Sequence, residues 1–392
     1  MTAVNGSTAN VGHEITLASG GHLTVSANGT FSYDPNHVFD YLPAPGSGAS
    51  DLTYVDIFSY TITGGETATV TVTVSGLDTN DVLYDSAGID TLAGGIGDDL
   101  YYVTTSGDVV IEAVSAGNDI VGAFVDYALP ENHNIETLSM LGSGLTGTGA
   151  SGADTLHSSG GPNRLVGLGG DDHYYVNNRA DEVIEAPNGG YDTVIATVDY
   201  ALPEDHNIEL FSMFGSGLTG TGSSGADTLH SSGGPNILVG LGGDDLYYAN
   251  NAADEVIEAA NGGYDTVVAT VDYTLPDNVE ALYVIGSGLT GIGNSEANTL
   301  ISMGANTLAG GIGNDTFEFF ADSTNGAIVD DFDRSEGDVL VFSGFGTEAV
   351  GASISQIGSS DQWQIHSALD GHNETITLSN HATLHAGDWV FV

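Results

Sequence analysis

The chain has 392 residues, with 53 aspartates and glutamates against 3 basic residues, and its formal net charge is -50 at pH 7. Nucleic acid and anionic membranes are poor partners for such a chain because they require clustered lysine and arginine, whereas divalent cations would relieve its self-repulsion. A hydrophobic content of 41% excludes a permanently disordered polymer, and the absence of cysteine excludes disulfides and thiolate metal sites.

Residues 1–76 alternate apolar and polar side chains between turn signals, as in residues 22–25, 30–33 and 68–74. Asn28 and Gly29 lie between two of these runs and are typical of a β-hairpin turn. This pattern predicts an antiparallel β-sandwich.

Several short stretches of residues 1–76 resemble the bacterial cadherin-like domains named VCBS. They are residues 17–21, 28–36 and 56–62. The resemblance implies a spacer in a surface adhesin. The usual first strand is missing, since only residues 1–4 precede the first Asn-Gly, and the missing strand predicts an unpaired sheet edge. Residues 77–80 read as a short linker.

A nine-residue motif recurs after the linker. Four strong copies begin at Gly94, Gly167, Gly240 and Gly310, and they fit G-G-x-G-x-D-x-U-x, where U is a large apolar residue. Glycines allow left-handed turns and leave backbone carbonyls unshielded, and the aspartate supplies a hard anionic oxygen beside them. The motif predicts stacked turns of a parallel β-helix that bind Ca²⁺, each followed by a strand with one inward side chain.

Weaker nonapeptides lead into each strong copy in the same register, and the chain thereby resembles the RTX (repeats-in-toxin) proteins of the hemolysin-type calcium-binding family. The resemblance implies a parallel β-roll over residues 77–320, with several Ca²⁺ ions held between turns by backbone carbonyls and repeat aspartates. The predicted ligand residues are Gly88, Asp90, Gly94, Gly95, Gly97, Asp99, Asp119, Gly152, Asp154, Gly161, Asn163, Gly167, Gly169, Gly170, Asp172, Asp192, Gly225, Asp227, Gly234, Asn236, Gly240, Gly242, Gly243, Asp245, Asp265, Gly304, Asn306, Gly310, Gly311, Gly313 and Asp315.

The strong copies divide the chain into three long repeats, residues 94–166, 167–239 and 240–309. Each repeat continues into an acidic segment that contains Asp119, Asp192 or Asp265. These aspartates read either as further calcium ligands or as solvated acidic turns, and the sequence leaves both readings open. Stacked repeats bury each other's apolar faces and need caps at their ends.

Residues 321–392 are predicted to form a β-rich C-terminal cap. Residues 328–333 and 337–342 resemble the segment that follows the last calcium repeats in RTX proteins. Residues 388–392, an aspartate followed by apolar residues, resemble the uncleaved C-terminal signal of type I secretion substrates. The resemblance implies export by type I machinery from a Gram-negative bacterium. Residues 1–20 lack the pattern of a signal peptide, and no apolar run is long enough to cross a membrane.

No pattern of residues indicates catalysis, so we predict that the chain is not an enzyme. His133 and His206 recur in matching turns, as do His157 and His230, but the third long repeat lacks both. We attribute them to duplication rather than to a zinc site. Neither a helical zinc-protease motif nor a Gly-x-Ser-x-Gly elbow is present.

Two functions fit these observations. The first is a secreted, calcium-binding structural or adhesive protein that folds on Ca²⁺ outside the cell. It could assemble into a surface layer or filament by strand exchange, with residues 1–4 or 389–392 as the donor strand. The second is the calcium-binding and export module of an extracellular polysaccharide-modifying or lipolytic enzyme whose catalytic domain is absent from this chain.

Overall fold

The computed structural model describes residues 1–36, 38–39, 42, 53–75, 80–112, 114, 117–131, 133–204 and 206–392. Most of the predicted linker, residues 77–79, lies outside this set. The chain divides into two compact bodies, Met1–Asp172 and His173–Val392. The described residues form strands almost throughout, with two one-turn 3-10 helices at Thr8–Asn10 and Glu348–Val350. The predicted all-β fold class is confirmed.

The N-terminal body begins with two antiparallel sheets. Its first strands are β1 Ala3–Val4, β2 Glu14–Thr16, β3 His22–Val25, β4 Phe31–Asp34, β5 Thr53–Thr61 and β6 Thr67–Ser75. One sheet has the order β1-β5-β6 and the other β2-β3-β4. The predicted hairpin joins β3 to β4, with Gly29 in the left-handed region at φ +92. Val4, Leu23 and Phe58 are buried together in the core of these sheets.

A parallel β-roll follows in the same body. Its strands are β7 Val82–Tyr84, β8 Thr91–Leu92, β9 Leu100–Val103, β10 Val109–Val110, β11 Ile120–Ala123, β12 Tyr127–Ala128, β13 Thr137–Met140, β14 Thr146–Thr148, β15 Thr155–Ser158 and β16 Arg164–Val166. The odd-numbered strands pair in parallel as one long sheet, and the even-numbered strands pair as shorter sheets. The chain therefore alternates between two sheets, as the nonapeptide motif predicts.

The C-terminal body continues the same alternation. Its strands are β17 His173–Val176, β18 Glu182–Ile184, β19 Thr193–Ala196, β20 Tyr200–Ala201, β21 Leu210–Gly215, β22 Thr219–Thr221, β23 Thr228–Gly233, β24 Ile237–Val239, β25 Leu246–Ala249, β26 Glu255–Ile257, β27 Thr266–Ala269, β28 Tyr273–Thr274, β29 Ala281–Ile285, β30 Thr290–Ile292, β31 Thr299–Met303, β32 Thr307–Ala309, β33 Thr316–Phe320, β34 Ala327–Val329, β35 Val339–Ser343, β36 Ser353–Gln356, β37 Gln362–His366, β38 Asn373–Leu378 and β39 Trp389–Phe391.

In this body the long parallel sheet contains the odd-numbered strands β17 to β35 and ends with β39 beside β35. A shorter parallel sheet contains β20, β22, β24 and β26. Another joins β28, β30, β32, β34 and β38, and β38 continues into an antiparallel pairing with β37 and β36.

The register of the long sheet stacks one apolar side chain per strand on the same position of the next strand. Tyr247 lies opposite Val267, which lies opposite Leu282, and all three are fully buried. Leu165 and Leu238, which the weaker nonapeptides place at core positions, are also fully buried in their short strands. Each turn thus buries the apolar face of its neighbour.

The last strand is tied to the sheet by packing and by one ion pair. Phe391 packs on Phe342 with ring centroids 5.2 Å apart. Arg334 Nε lies 2.9 Å from Asp388 Oδ1, just before the strand begins. Across the described residues, no helix has the length and apolarity needed to span a bilayer.

Candidate calcium centres

The loops that lead from the short strands into the long sheet hold most of the predicted aspartates. We call this set of loops the calcium edge. Asp99, Asp172, Asp245 and Asp315 each end such a loop, directly before a strand of the long sheet, and all four are buried. Their strand position turns each carboxylate back toward the loop glycines. A Cβ on Gly240 would lie 2.1 Å from Asp245 Oδ2, so only glycine fits at that position.

One oxygen of each carboxylate is used inside the roll. In the N-terminal body, the backbone N–H of Asp81 donates to Asp99 Oδ1 at 2.7 Å, and that of Asp99 donates to Asp119 Oδ1 at 2.8 Å. In the C-terminal body, the N–H of Asp245 donates to Asp265 Oδ1 at 2.8 Å. These bonds stack the carboxylates, one per turn, into a column.

The carboxylates of two successive aspartates in the column lie close to the carboxylate of a glutamate. The carboxylates of Asp245, Glu258 and Asp265 offer oxygens that all lie within 4.8 Å of one another. The Tyr247 hydroxyl also donates to Glu258, and Asp265 Oδ2 is buried without a hydrogen-bond partner. Ca²⁺–oxygen bonds are about 2.3 to 2.6 Å long, so two oxygens on one ion lie at most about 5 Å apart. The cluster therefore fits a calcium ion.

The N-terminal body repeats this cluster with Asp99, Glu112 and Asp119, whose oxygens also lie within 4.8 Å of one another. Asp119 Oδ2 is buried without a hydrogen-bond partner, like that of Asp265. We call these two groups the carboxylate clusters. Their shared composition makes the first and third long repeats equivalent as candidate cation sites.

Burial and mutual repulsion oppose ionisation in both clusters. Burial first, and then the neighbouring carboxylates, raise the pKa of Asp245 to about 8 and that of Asp265 to about 6. The same causes raise the pKa of Asp119 to about 6, and burial also raises the pKa of Glu258. The clusters are thus unfavourable for three negative charges alone, and a divalent cation would remove that penalty.

The second long repeat has the same residues at the same spacing, namely Asp172, Glu185 and Asp192, and each is buried. Asp172 ends the N-terminal body, whereas Glu185 and Asp192 belong to the C-terminal body, where Glu185 accepts the Tyr174 hydroxyl. At the fourth strong copy, Asp315 Oδ2 is buried without a hydrogen-bond partner, and burial raises its pKa to about 6. Asp331 there accepts the N–H groups of Gly310 and Gly311, each at 2.8 Å.

The predicted asparagines lie on the other loops, which lead from the long sheet back to the short strands. We call this set the asparagine edge. The two sets of loops leave a strand at its opposite ends, so they line opposite edges of the roll. Asn236 Oδ1 accepts the Leu218 N–H at 3.0 Å, and its Nδ2 donates to the Gly215 carbonyl at 3.3 Å. Asn163 and Asn306 make the same pair of bonds.

Asp90 also lies on the asparagine edge, where its Oδ2 accepts the Ser86 N–H at 2.8 Å. The predicted glycines divide between the edges. Gly88, Gly161, Gly234 and Gly304 lie in loops of the asparagine edge, and the others lie in loops of the calcium edge. The structure thus brings only part of the predicted ligand set together, and the glycine carbonyls and asparagines stay predictions as ligands.

The glutamates of the clusters are candidate ligands that were not predicted from the sequence. Glu112, Glu185 and Glu258 stand at the same distance after the repeat aspartate in all three long repeats, a signal that was readable. The glutamate of the next turn, which accepts the backbone N–H of the cluster aspartate, was not predicted either. Glu136 does so for Asp119 at 2.7 Å, and Glu280 does so for Asp265 at 2.7 Å.

A parallel β-roll with buried carboxylate clusters between its turns defines a calcium-binding repeat fold. Comparison with known families agrees. The model of the RTX calcium-binding nonapeptide repeat matches four segments, residues 75–110, 148–181, 221–256 and 292–318. The chain therefore carries RTX calcium-binding repeats, and Ca²⁺ is the ion that such repeats bind.

Two curated relatives come from Rhizobium meliloti. The chain is 41% identical to the endo-1,3-1,4-beta-glycanase ExsH over 25% of its own length and 21% of that protein. It is 35% identical to the endo-1,3-1,4-beta-glycanase EglC over 23% of its own length and 20% of that protein. The chain thus spans about a fifth of the length of the relatives it matches. No solved structure matches it significantly.

Proposed function

We propose that this chain is a non-catalytic, calcium-folded module of a secreted protein, unfolded in a low-calcium cytosol and folded outside the cell. The buried carboxylate clusters carry the proposal. Asp119 Oδ2 and Asp265 Oδ2 have neither solvent nor a hydrogen-bond donor, and such oxygens are costly to bury without a cation.

Calcium would act on the folding equilibrium. Because the three carboxylates of a cluster come from two successive turns, they are close together only in the folded roll. An ion that binds only the folded form stabilises it by mass action. Extracellular calcium modules typically bind at about 10⁻⁴ to 10⁻³ M, well above cytosolic calcium, so folding would wait until the chain is outside.

Within this proposal, the N-terminal sheets act as a VCBS-like spacer and residues 388–392 as a type I secretion signal, which would place the protein outside a Gram-negative bacterium. RTX repeats are typical of proteins that type I systems secrete, and this supports the location. A structural or adhesive role fits a chain made of stacked repeats and a spacer.

Self-assembly by strand exchange receives less support. Both segments predicted as donors are paired within their own chain, with Ala3 opposite Thr61 in β5 and Trp389 opposite Leu340 in β35. Exchange with a neighbouring copy would first require these pairs to break.

A second candidate role is that of a calcium-dependent module attached to a polysaccharide-degrading enzyme. The similarity to two rhizobial endo-1,3-1,4-beta-glycanases favours it. Coding sequence beyond this chain that supplies a catalytic domain would favour the second role over the adhesive one.

Circular dichroism tests the common part of both roles. We expect the β-sheet signal of the full chain to be largely lost in a calcium chelator and restored by millimolar Ca²⁺. Mg²⁺ at the same concentration serves as the control, since its strict octahedral geometry suits these clusters less well. A full β-sheet signal in the chelator would contradict the proposal.

A further inference from the structure

Two buried histidines face aspartates of the calcium edge. His133 Nε2 lies 3.0 Å from Asp154 Oδ1, and their side chains are 8% and 0% exposed. His206 Nε2 lies 2.8 Å from Asp227 Oδ1, with side chains 8% and 1% exposed. The two pairs occupy the same place in the first and second long repeats, at the turn that precedes the next strong nonapeptide.

The hydrogen bonds fix which ring nitrogen carries the proton. The Ile135 N–H donates to His133 Nδ1 at 2.9 Å, and the Ile208 N–H donates to His206 Nδ1 at 2.8 Å. Because Nδ1 is an acceptor in both rings, the proton lies on Nε2 and points at the aspartate. His206 therefore donates to Asp227 Oδ1, whereas His133 places its Nε2 beside Asp154 Oδ1 without forming a hydrogen bond to it.

The other oxygen of each aspartate is also occupied. Asp227 Oδ2 accepts the Ser223 N–H at 2.6 Å and the Ser223 hydroxyl at 3.1 Å. Asp154 Oδ2 accepts the Ala150 N–H at 2.6 Å. Asp227 thus has a donor at each oxygen, and Asp154 has a donor at Oδ2 and an imidazole beside Oδ1. Asp265 differs, because nothing donates to its Oδ2.

The third long repeat changes both partners together. It has no histidine in the matching turn, and Asn298 stands where Asp154 and Asp227 stand in the other repeats. Asn298 Nδ2 donates to the Val279 carbonyl at 3.1 Å, and its Oδ1 accepts the Asn294 N–H at 2.7 Å. Where the imidazole is lost, the negative charge is lost too, and Asn298 is hydrogen-bonded at both its amide oxygen and its amide nitrogen.

We propose that His133 and His206 prevent calcium from binding at this turn. The imidazole Nε2 lies beside the carboxylate oxygen, in the place that an ion would need. Asp154 and Asp227, which the sequence predicts as ligands, therefore hold no Ca²⁺. Calcium then binds at the carboxylate clusters rather than at every turn. The inference rests on the calcium-binding role of the repeats and does not depend on secretion or adhesion.

The number of calcium ions bound per chain tests the inference. Equilibrium dialysis with atomic absorption would be applied to the full chain and to the Asp154→Asn, Asp227→Asn double variant at saturating Ca²⁺. We expect the same number of ions, whereas loss of one or two ions would overturn the inference. The Asp119→Asn, Asp265→Asn double variant is the matched control and should bind fewer ions.

A second variant tests the histidine itself and does not depend on how the first one folds. Asn298→Asp gives the third repeat the aspartate without the imidazole. The turn should then be able to bind Ca²⁺, and the chain should bind one more ion. An unchanged number in a folded Asn298→Asp chain would contradict the role of the histidine. A parent chain that binds no calcium would instead refute the proposed function, so the two failures are distinguishable.

Discussion

The two edges of the β-roll stack polar side chains in the same way, one per turn, but they satisfy them differently. On the asparagine edge, Asn236 has both a donor and an acceptor, and it bridges two turns without any charge. On the calcium edge, Asp245 and Asp265 have only acceptors and meet Glu258, so Asn236 is satisfied by its neighbours whereas this cluster needs a cation. The comparison teaches that the hydrogen-bond donors available to a polar side chain decide whether a turn needs an ion.

The largest effect should come from the core that both edges share. Leu238→Ala removes a fully buried side chain between the two edges and should lower the free energy of unfolding by about 2 to 5 kcal/mol at saturating Ca²⁺. Urea unfolding in calcium would measure this loss. Ile257→Ala, at a side chain that is 42% exposed, is the control and should cost much less. Equal losses in the two variants would contradict the assigned core.

The asparagine edge should be sensitive to charge at any calcium concentration. Asn236→Asp places an acceptor against the Gly215 carbonyl and removes the donor, and an unpaired buried polar group costs about 1 to 3 kcal/mol. Urea unfolding should show the same loss at every calcium concentration at which the parent chain is folded. Asn250→Asp, at an exposed position, is the control for added charge. A variant that gained a calcium ion instead would show that the two edges are interchangeable.

On the calcium edge, a substitution should change the calcium midpoint of folding more than the stability at saturating Ca²⁺. Glu258→Gln removes one charged ligand from a carboxylate cluster, and a loss of about 1.4 kcal/mol would raise the calcium midpoint of folding about tenfold. Stability at saturating Ca²⁺ should fall only modestly because the aspartates and backbone carbonyls remain. Glu255→Gln, at an exposed position of the same strand, is the control. Calcium titrations followed by circular dichroism would separate the variants, and identical midpoints would remove Glu258 from the ligands.

Acidification should stabilise the ion-free roll by a smaller factor. In the ion-free roll the pKa of Asp245 is about 8 and that of Asp265 about 6, above the unfolded value of about 4. Their protonation stabilises the ion-free fold at low pH, and this stabilisation is lost as the pH rises from about 4 to about 8. In a chelator, the β-sheet signal should therefore increase as the pH falls from about 8 to about 4. Circular dichroism of the chelated chain across this range would measure the change, and an unchanged or smaller signal at low pH would contradict the raised pKa values.

The sequence was sufficient for the roll because its determinants are local. The nonapeptides place glycine, aspartate and an inward side chain at fixed positions, so Tyr247 and Leu238 could be placed in the core and Asp245 on the calcium edge. The sequence could not show that Asn236 and Asp245 lie on opposite edges, since both occupy the same position of the motif. Glu258 approaches Asp245 only after the chain has made a full turn, and the partnership of His206 with Asp227 depends on the direction of two side chains.

The last strands of the roll have a consequence for folding kinetics. Neighbouring turns contact each other over short sequence distances, so most of each body has low contact order and can fold by adding turn to turn. The C-terminal region is different, because β38 returns to pair with β34 and β39 returns to pair with β35. These pairings close loops across β36 and β37. They therefore carry a larger loop-closure entropy than any single turn, and they should form last and set the observed folding rate of the C-terminal body.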